Sequence, residues 1–182
     1  MKKTRFILWV ALGFGLAATS CGNPEGVGKQ QLYNNASHVD NEAFTFLKTV
    51  HEKASQEVAL AKHIQATYPG ADSEGLTDQI LGLYESLLPQ LESLGAEAQV
   101  VLPDSGQPAF SVPTGVVDTA AGFQFAAYKN HVAHEQYYLL DQFKRGSRNT
   151  NKTLRQFSLD HLDAVKAVYT SAGGEVSEGA HH

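Results

Sequence analysis

Three residue types are almost missing from this chain of 182 residues, which contains one cysteine, one methionine and one tryptophan. A single cysteine cannot form an internal disulfide, a zinc finger, a CxxC redox pair or a haem attachment motif. Basic residues are also few, because 14 Lys and Arg stand against 19 Asp and Glu and give a net charge of -5. This balance excludes a broad basic surface, so we expect no nucleic-acid partner.

All three rare residues lie near the amino terminus, where the sequence has the features of an export signal. Lys2, Lys3 and Arg5 precede an apolar run over residues 6–18, and this run is shorter than the roughly 20 residues that span a bilayer. Small residues then lead directly to Cys21. This arrangement resembles the lipobox of bacterial lipoproteins, and the resemblance implies cleavage after residue 20 and lipidation of Cys21.

Cleavage before Cys21 would determine where the mature protein is located and which side chains it retains for metal binding or catalysis. The mature chain would be held at a membrane by its lipid, and Gly22 after the cysteine favours the outer membrane, so we expect a cell-envelope protein facing the periplasm. Removing residues 1–20 takes away three positive charges and changes the net charge from -5 to -8. Met1 and Trp9 are removed as well. Methionine-ligated haem, thiolate metal sites and cysteine nucleophiles are then excluded.

After the predicted signal, a segment without periodicity is followed by segments whose apolar residues have helical spacing. Residues 21–39 are rich in Gly, Asn, Gln and Ser without periodicity, which predicts a flexible linker. Apolar residues then recur at three- and four-residue spacing in four segments. The predicted helices cover residues 40–68, 73–98, 116–145 and 149–173. They predict an all-α four-helix bundle over residues 40–174, followed by a disordered tail over 175–182.

The connection between the second and third predicted helices leaves the topology open. It contains Pro103, Pro108 and Pro113. A helix of the predicted length is about 40 Å long at 1.5 Å per residue, and a proline-rich segment of about 17 residues can span that distance. The sequence is therefore compatible with an up-down-up-down bundle and with two hairpins joined by a crossover.

Three polar residues occupy positions where the helical stripes should be apolar, namely Glu57, Glu135 and His161. Each lies near the middle of its predicted helix, where an unpaired buried carboxylate costs several kcal/mol or takes up a proton. The side chains predicted to surround them are His131, His134 and Glu85, with Tyr84 beside them. Bound metal or a proton-sharing network would compensate the burial, and carboxylates with imidazole suit Fe, Mn or Zn better than Ca.

Each of these residues also has a structural interpretation. Val58 can take the stripe position of Glu57, Gln136 can take that of Glu135, and His161 can be a hydrogen-bonded core histidine. Other polar aromatic side chains are interpreted as surface histidines, His51 and His63, and as core or interface tyrosines, Tyr128, Tyr137 and Tyr138.

Several short segments together resemble one known family. They are Phe46-Leu47 with Glu57 ten residues on, the Leu91 to Leu94 segment, Val101-Leu102-Pro103, His134-Glu135 and His161-Leu162. Over about residues 41–170 they resemble the ferritin-like family of outer-membrane and periplasmic domains of unknown function, which implies a ferritin-like bundle. Members of that family usually have a histidine where Tyr84 falls. Ferritin-like di-iron sites carry two Glu-x-x-His pairs, which the predicted helices lack.

These observations lead to one expected function and one alternative. We expect a non-catalytic envelope lipoprotein that binds an unknown envelope partner or has a structural or stress-related role. The alternative is a mononuclear or degenerate di-metal protein that binds Fe, Mn or Zn through the central Glu and His residues. A hydrolase has little support, because the chain has no G-x-S-x-G, no H-E-x-x-H and no Gly-rich phosphate loop, and we expect no nucleotide for the same reason. The oligomeric state stays open.

Overall fold

The computed structural model describes residues 39–103 and 110–176. The helices are α1 (Asn41–Thr67), α2 (Leu76–Glu97), α3 (Phe125–Gly146) and α4 (Lys152–Ser171), and the short strands β1 (Val117–Asp118) and β2 (Gly122–Phe123) pair antiparallel before α3. The prediction of an all-α four-helix bundle is confirmed. Within the described ranges, no helix combines the length and the apolar character needed to cross a membrane. The predicted signal, the lipidated Cys21, nearly all of the linker and the end of the tail lie outside the described residues.

Side-chain caps fix the starts of the first and last helices. The Asp40 carboxylate accepts a hydrogen bond of 2.7 Å from the backbone N–H of Ala43, and this bond lowers the pKa of Asp40 below its ordinary value. The Asn151 side chain accepts from the N–H of Leu154 at 3.1 Å in the same way, so α4 begins after Asn151 rather than near Asn149. Both α1 and α4 therefore begin directly after a residue whose side chain caps the helix.

The third helix starts nine residues later than its apolar spacing predicts. Residues 116–124 form the small hairpin of β1 and β2 instead of a helical turn. Asp118 accepts hydrogen bonds from the backbone N–H groups of Ala120 and Ala121 at 2.7 and 2.8 Å, and Gly122 has a φ of 74° that only glycine adopts without strain. The turn chemistry of this segment outweighs its helical periodicity.

Contacts at the two ends of the bundle settle the topology. Asn149 and Thr150, in the turn between α3 and α4, donate hydrogen bonds to Asp40 at the start of α1. At the opposite end, Tyr68 after α1 stacks on Phe123 before α3 with ring centroids 5.8 Å apart. Helix α3 therefore runs antiparallel to α1 and parallel to α2. Two antiparallel hairpins, α1/α2 and α3/α4, are joined by a crossover that passes along the bundle.

Three phenylalanines form an aromatic cluster in the core at the end where α1 begins. Phe46 packs edge-on against Phe143 and Phe157, with centroid distances of 5.3 and 6.2 Å. Helices α3 and α4 approach closely here, since a Cβ added to Gly146 would lie 2.2 Å from the Ser158 hydroxyl oxygen. Further along the bundle, the core between α1, α2 and α3 becomes polar.

Candidate functional site

Glu57 is a buried carboxylate in the interior of α1, as its place in the apolar stripe predicts. Its side chain is 2% exposed. One carboxylate oxygen lies 3.1 Å from the Nε2 atom of His131 on α3, which donates to it when protonated there. The other oxygen, Oε2, is buried and has no hydrogen-bond partner among the described residues.

The pair of Glu57 and His131 binds protons more readily than either group does in water. Burial raises the pKa of Glu57 above its ordinary value of 4.5, because removing water disfavours the ionised form. The hydrogen bond to Glu57 raises the pKa of His131 above its ordinary 6.5. With one proton shared between them the pair has no net charge, whichever partner carries that proton.

A second pair of opposite charges lies one helical turn from the first. Lys53 precedes Glu57 by four residues in α1, and Glu135 follows His131 by four residues in α3. Since α1 and α3 are antiparallel, this spacing places Lys53 against Glu135, and the Lys53 ammonium pairs with the Glu135 carboxylate. Both side chains are partly exposed, at 26% and 17%.

These two pairs line one cavity between α1 and α3. Its volume is about 260 Å³, slightly below the range of about 300–1,000 Å³ that is usual for ligand pockets. The described residues that complete its lining are Gln56, Leu60, Phe110, Ser111 and Pro113. Residues 110–113 belong to the crossover, which therefore supplies one wall of the cavity.

A further polar cluster lies deeper, between α2 and α3. The Tyr84 hydroxyl donates a hydrogen bond of 2.5 Å to the Gln136 side-chain oxygen, and both residues are fully buried. Burial and the charge of Glu57 raise the pKa values of Tyr84 and Tyr128, so both phenols stay protonated. Within the described ranges, the Tyr128 hydroxyl and the Gln136 Nε2 have no hydrogen-bond partner. The bundle centre therefore contains several unsatisfied polar atoms close to Glu57.

The structure places two of the predicted site residues beside Glu57. His131 bonds to Glu57, and Glu135 lines the same cavity. Glu135 is not in the core stripe, since Gln136 holds that position with no exposed surface. Gln136 therefore takes the core position in place of Glu135, which is the alternative that the sequence left open.

The other predicted residues lie elsewhere. His134 is exposed and packs against the Tyr138 ring at 4.9 Å, and Glu85 is exposed and pairs with Lys62 at 2.8 Å. His161 is half-buried on α4, where its Nε2 lies 3.3 Å from the Gln90 side-chain oxygen and burial lowers its pKa. Helix α4 packs against α2 and α3 but lies diagonally opposite α1, so His161 does not reach Glu57.

The metal-ligating side chains do not converge as a set. Among residues 39–103 and 110–176, no group of three His, Cys, Asp or Glu side chains is arranged to hold a metal ion. The positive charge beside the Glu135 carboxylate is the Lys53 ammonium.

The roles of two side chains could not be predicted from the sequence, namely Lys53 in the cavity and His51 outside its lining. Lys53 and Glu57 are four residues apart, as are His131 and Glu135. This equal spacing predicts that Lys53 pairs with Glu135 only when α1 and α3 are known to be antiparallel neighbours. His51, interpreted as a surface residue, is 2% exposed and faces Glu92 on α2 with 3.5 Å between Nε2 and Oε1.

Comparisons of the chain with protein-family models, with curated proteins and with solved structures found no match. The function is therefore argued from the sequence and from the geometry of the site.

Proposed function

We propose that this chain is a lipid-anchored protein of the bacterial cell envelope that acts by binding, and that the cavity between α1 and α3 is its binding site. The basic start, the short apolar run and Cys21 support the anchor. The single crossover supports the resemblance to ferritin-like bundles, which have one long connection of this kind.

The unpartnered oxygen of Glu57 is the observation that carries the binding role. Leaving a buried acceptor without a hydrogen bond costs about 1–3 kcal/mol, and more when the group is charged. Glu57 lines the cavity, and a ligand there that reaches Oε2 and donates a hydrogen bond to it would recover this cost.

The charged groups of the cavity favour binding over catalysis. The His131 imidazole faces Glu57, and the Lys53 ammonium is paired with Glu135. Among the described residues, the hydrogen bond of the His131 ring is the one to Glu57, so no Ser, Thr or Cys side chain is held against the imidazole as an activated nucleophile. The arrangement holds polar groups in place and leaves one acceptor open.

An NMR fragment screen tests whether the cavity binds ligands. We expect fragments with hydroxyl or amine donors to shift the backbone amide signals of Lys53, Glu57, His131 and Glu135. The isosteric change Glu57→Gln should weaken these hits, because it replaces the carboxylate by an amide that is a poorer acceptor. Glu85→Gln is the matched control, since Glu85 lies in an exposed ion pair. Hits scattered over the surface, or equally strong in Glu57→Gln, would contradict the proposal.

A metal-binding role is the second candidate, favoured by the contact of Glu57 with His131 and by Glu135 in the same cavity. It requires Lys53 to leave Glu135 and the three side chains to draw together. Elemental analysis of protein prepared without chelators tests it beside Glu135→Ala. Near-stoichiometric Fe, Mn or Zn that is lost in the variant supports this role, whereas equal, substoichiometric metal in both proteins rejects it.

A further inference from the structure

The charges of the cavity between α1 and α3 restrict the class of ligand. Its ionisable side chains form two neutral pairs, Glu57 with His131 and Lys53 with Glu135. An ionic ligand would bring a charge that no group in the cavity is left to balance, and a partly buried unbalanced charge is costly. A ligand without net charge avoids this penalty.

The remaining lining defines what such a neutral ligand must offer. It needs a hydrogen-bond donor for the Glu57 Oε2 atom, and it meets further polar groups in Gln56 and Ser111. Leu60, Phe110 and Pro113 supply apolar contacts on other parts of the lining. A sugar ring fits this description, because it carries hydroxyl donors around its edge and C–H groups on its faces.

Three tyrosines, two of them exposed and Tyr169 partly buried, continue from the rim of the cavity. Tyr138 lies beside it, since the Lys53 ammonium is 5.1 Å from the centre of the Tyr138 ring. Tyr137 lies 5.9 Å from Tyr138 and 6.2 Å from Tyr169 on α4. Tyr137 and Tyr138 are 57% and 45% exposed, which is unusual for large aromatic side chains. We refer to these three residues as the tyrosine surface.

We propose that the cavity and the tyrosine surface together bind an uncharged oligosaccharide. One sugar unit occupies the cavity and donates a hydroxyl to Glu57, and the following units stack on Tyr138 and Tyr137. This inference rests on the proposed binding function and names its ligand class. Exposed phenol rings offer sugars both an apolar face and a hydroxyl.

Calorimetric titration of the full mature chain carrying Cys21→Ser, which avoids detergent, tests this inference. The probes are cellohexaose and chitohexaose as neutral hexasaccharides, with glucose as the single unit. We expect at least one hexasaccharide to bind, and about tenfold more tightly than glucose, since stacking on the tyrosine rings adds to the contacts that a single unit makes in the cavity.

Variants separate the two parts of the site. Tyr138→Ala should weaken hexasaccharide binding about tenfold and glucose binding much less, whereas Glu57→Gln should weaken both. Leu159→Ala is the matched control, because Leu159 is a 48% exposed apolar residue of α4 outside the tyrosine surface. Circular dichroism verifies that each variant is folded, and Tyr138→Phe, which retains the ring, should keep most of the affinity.

The results of these titrations also show whether the saccharide inference fails alone or together with the proposed binding function. Absence of hexasaccharide binding at millimolar concentration overturns the saccharide inference, as does an equal loss in Leu159→Ala. Spermidine and citrate are included as charged probes. If either binds in a Glu57-dependent manner while the hexasaccharides do not, the cavity is a binding site for an ionic ligand and only the saccharide inference fails. If the fragment screen is also negative, the proposed function fails with it.

Discussion

The contact between Glu57 and His131 makes stability depend on pH at the scale of single residues. The folded protein raises the pKa of His131 above 6.5, so this group stabilises the fold fully below pH 6.5 and loses that contribution as the pH rises through its folded pKa. The raised pKa of Glu57 acts in the same direction from pH 4.5 upwards. Both groups therefore favour the folded state at lower pH.

Replacing His131 should flatten this dependence. We expect the unfolding temperature of the wild type to fall between about pH 6 and pH 9, by an amount that corresponds to on the order of 1 kcal/mol. His131→Gln should show a smaller slope, because it has no proton to lose in this range. His134→Gln provides the control, since His134 is exposed and lies one turn away on the same helix. Identical slopes in all three proteins would argue against the assigned role of His131.

The sequence predicts some residues of the site and not their partners. Helical spacing places Glu57 or Val58 on the apolar stripe of α1; in the folded bundle Val58 is partly exposed and the buried residue is Glu57. Its contact with His131 depends on which helices are neighbours and on their direction, which spacing within one helix does not contain. Glu135 and Gln136 differ by 100° around α3, so a stripe shifted by one residue exchanges them. In the folded bundle Gln136 is the buried one, and its side chain accepts a hydrogen bond from Tyr84.

At the scale of helices, the close approach of α3 and α4 depends on Gly146. This glycine is helical and buried, and its missing side chain is the space that Ser158 and Phe46 occupy. The Ser158 hydroxyl is itself buried without a partner among the described residues. The contact is therefore tight and gains little from hydrogen bonding.

Substitutions on the two sides of this contact should show opposite effects. Gly146→Ala should lower the free energy of unfolding by about 1–3 kcal/mol through overpacking. Adding Ser158→Ala should restore part of the loss, because it removes the atom that lies 2.2 Å from the new Cβ. Gly82→Ala, in an exposed part of α2 with nothing within 4 Å, should instead stabilise by about 0.5–1 kcal/mol. Urea unfolding measures all four proteins, and a harmless Gly146→Ala would contradict this packing.

Helix boundaries could be predicted where a single signal dominates. The start of α1 follows from Asp40, and its end lies at the residues before Pro69-Gly70. The start of α3 could not be predicted in this way, because residues 116–124 carry apolar residues at helical spacing and also a turn built around Asp118. Helical propensity is weak, and local side-chain bonds to the backbone decide such cases.

At the scale of the whole molecule, the crossover determines which surfaces meet. It makes α1 and α3 antiparallel neighbours, and its residues 110–113 cover the cavity between them. The sequence left this topology open because the length and proline content of the connection suit either arrangement. The contacts of Asp40 with the turn between α3 and α4, and the stacking of Tyr68 on Phe123 at the other end, distinguish them.

The proposed anchor is a property of the whole chain and is tested by cell fractionation. Wild-type protein should be found with the outer membrane, because one lipidated residue and its acyl chains provide the attachment. Cys21→Ser should be released in soluble form or stay uncleaved, with its helical circular dichroism unchanged. Ser20→Ala, which keeps a small residue before Cys21, should behave as wild type. A Cys21→Ser protein that still sediments with the outer membrane would show that lipidation at this position is not the means of attachment.

The crossover also decides where the polypeptide enters and leaves the bundle. Four helices and one crossover traverse the long axis five times, and an odd number of traverses brings the chain out at the far end. An up-down-up-down bundle, with four traverses, would return it to the end where it entered. The exit after Ser171 thus lies about 40 Å from the entry at Asn41, roughly the length of α1 at 1.5 Å per residue. On a bundle tethered through its amino terminus, a reporter joined after α4 would stand at the membrane-distal pole.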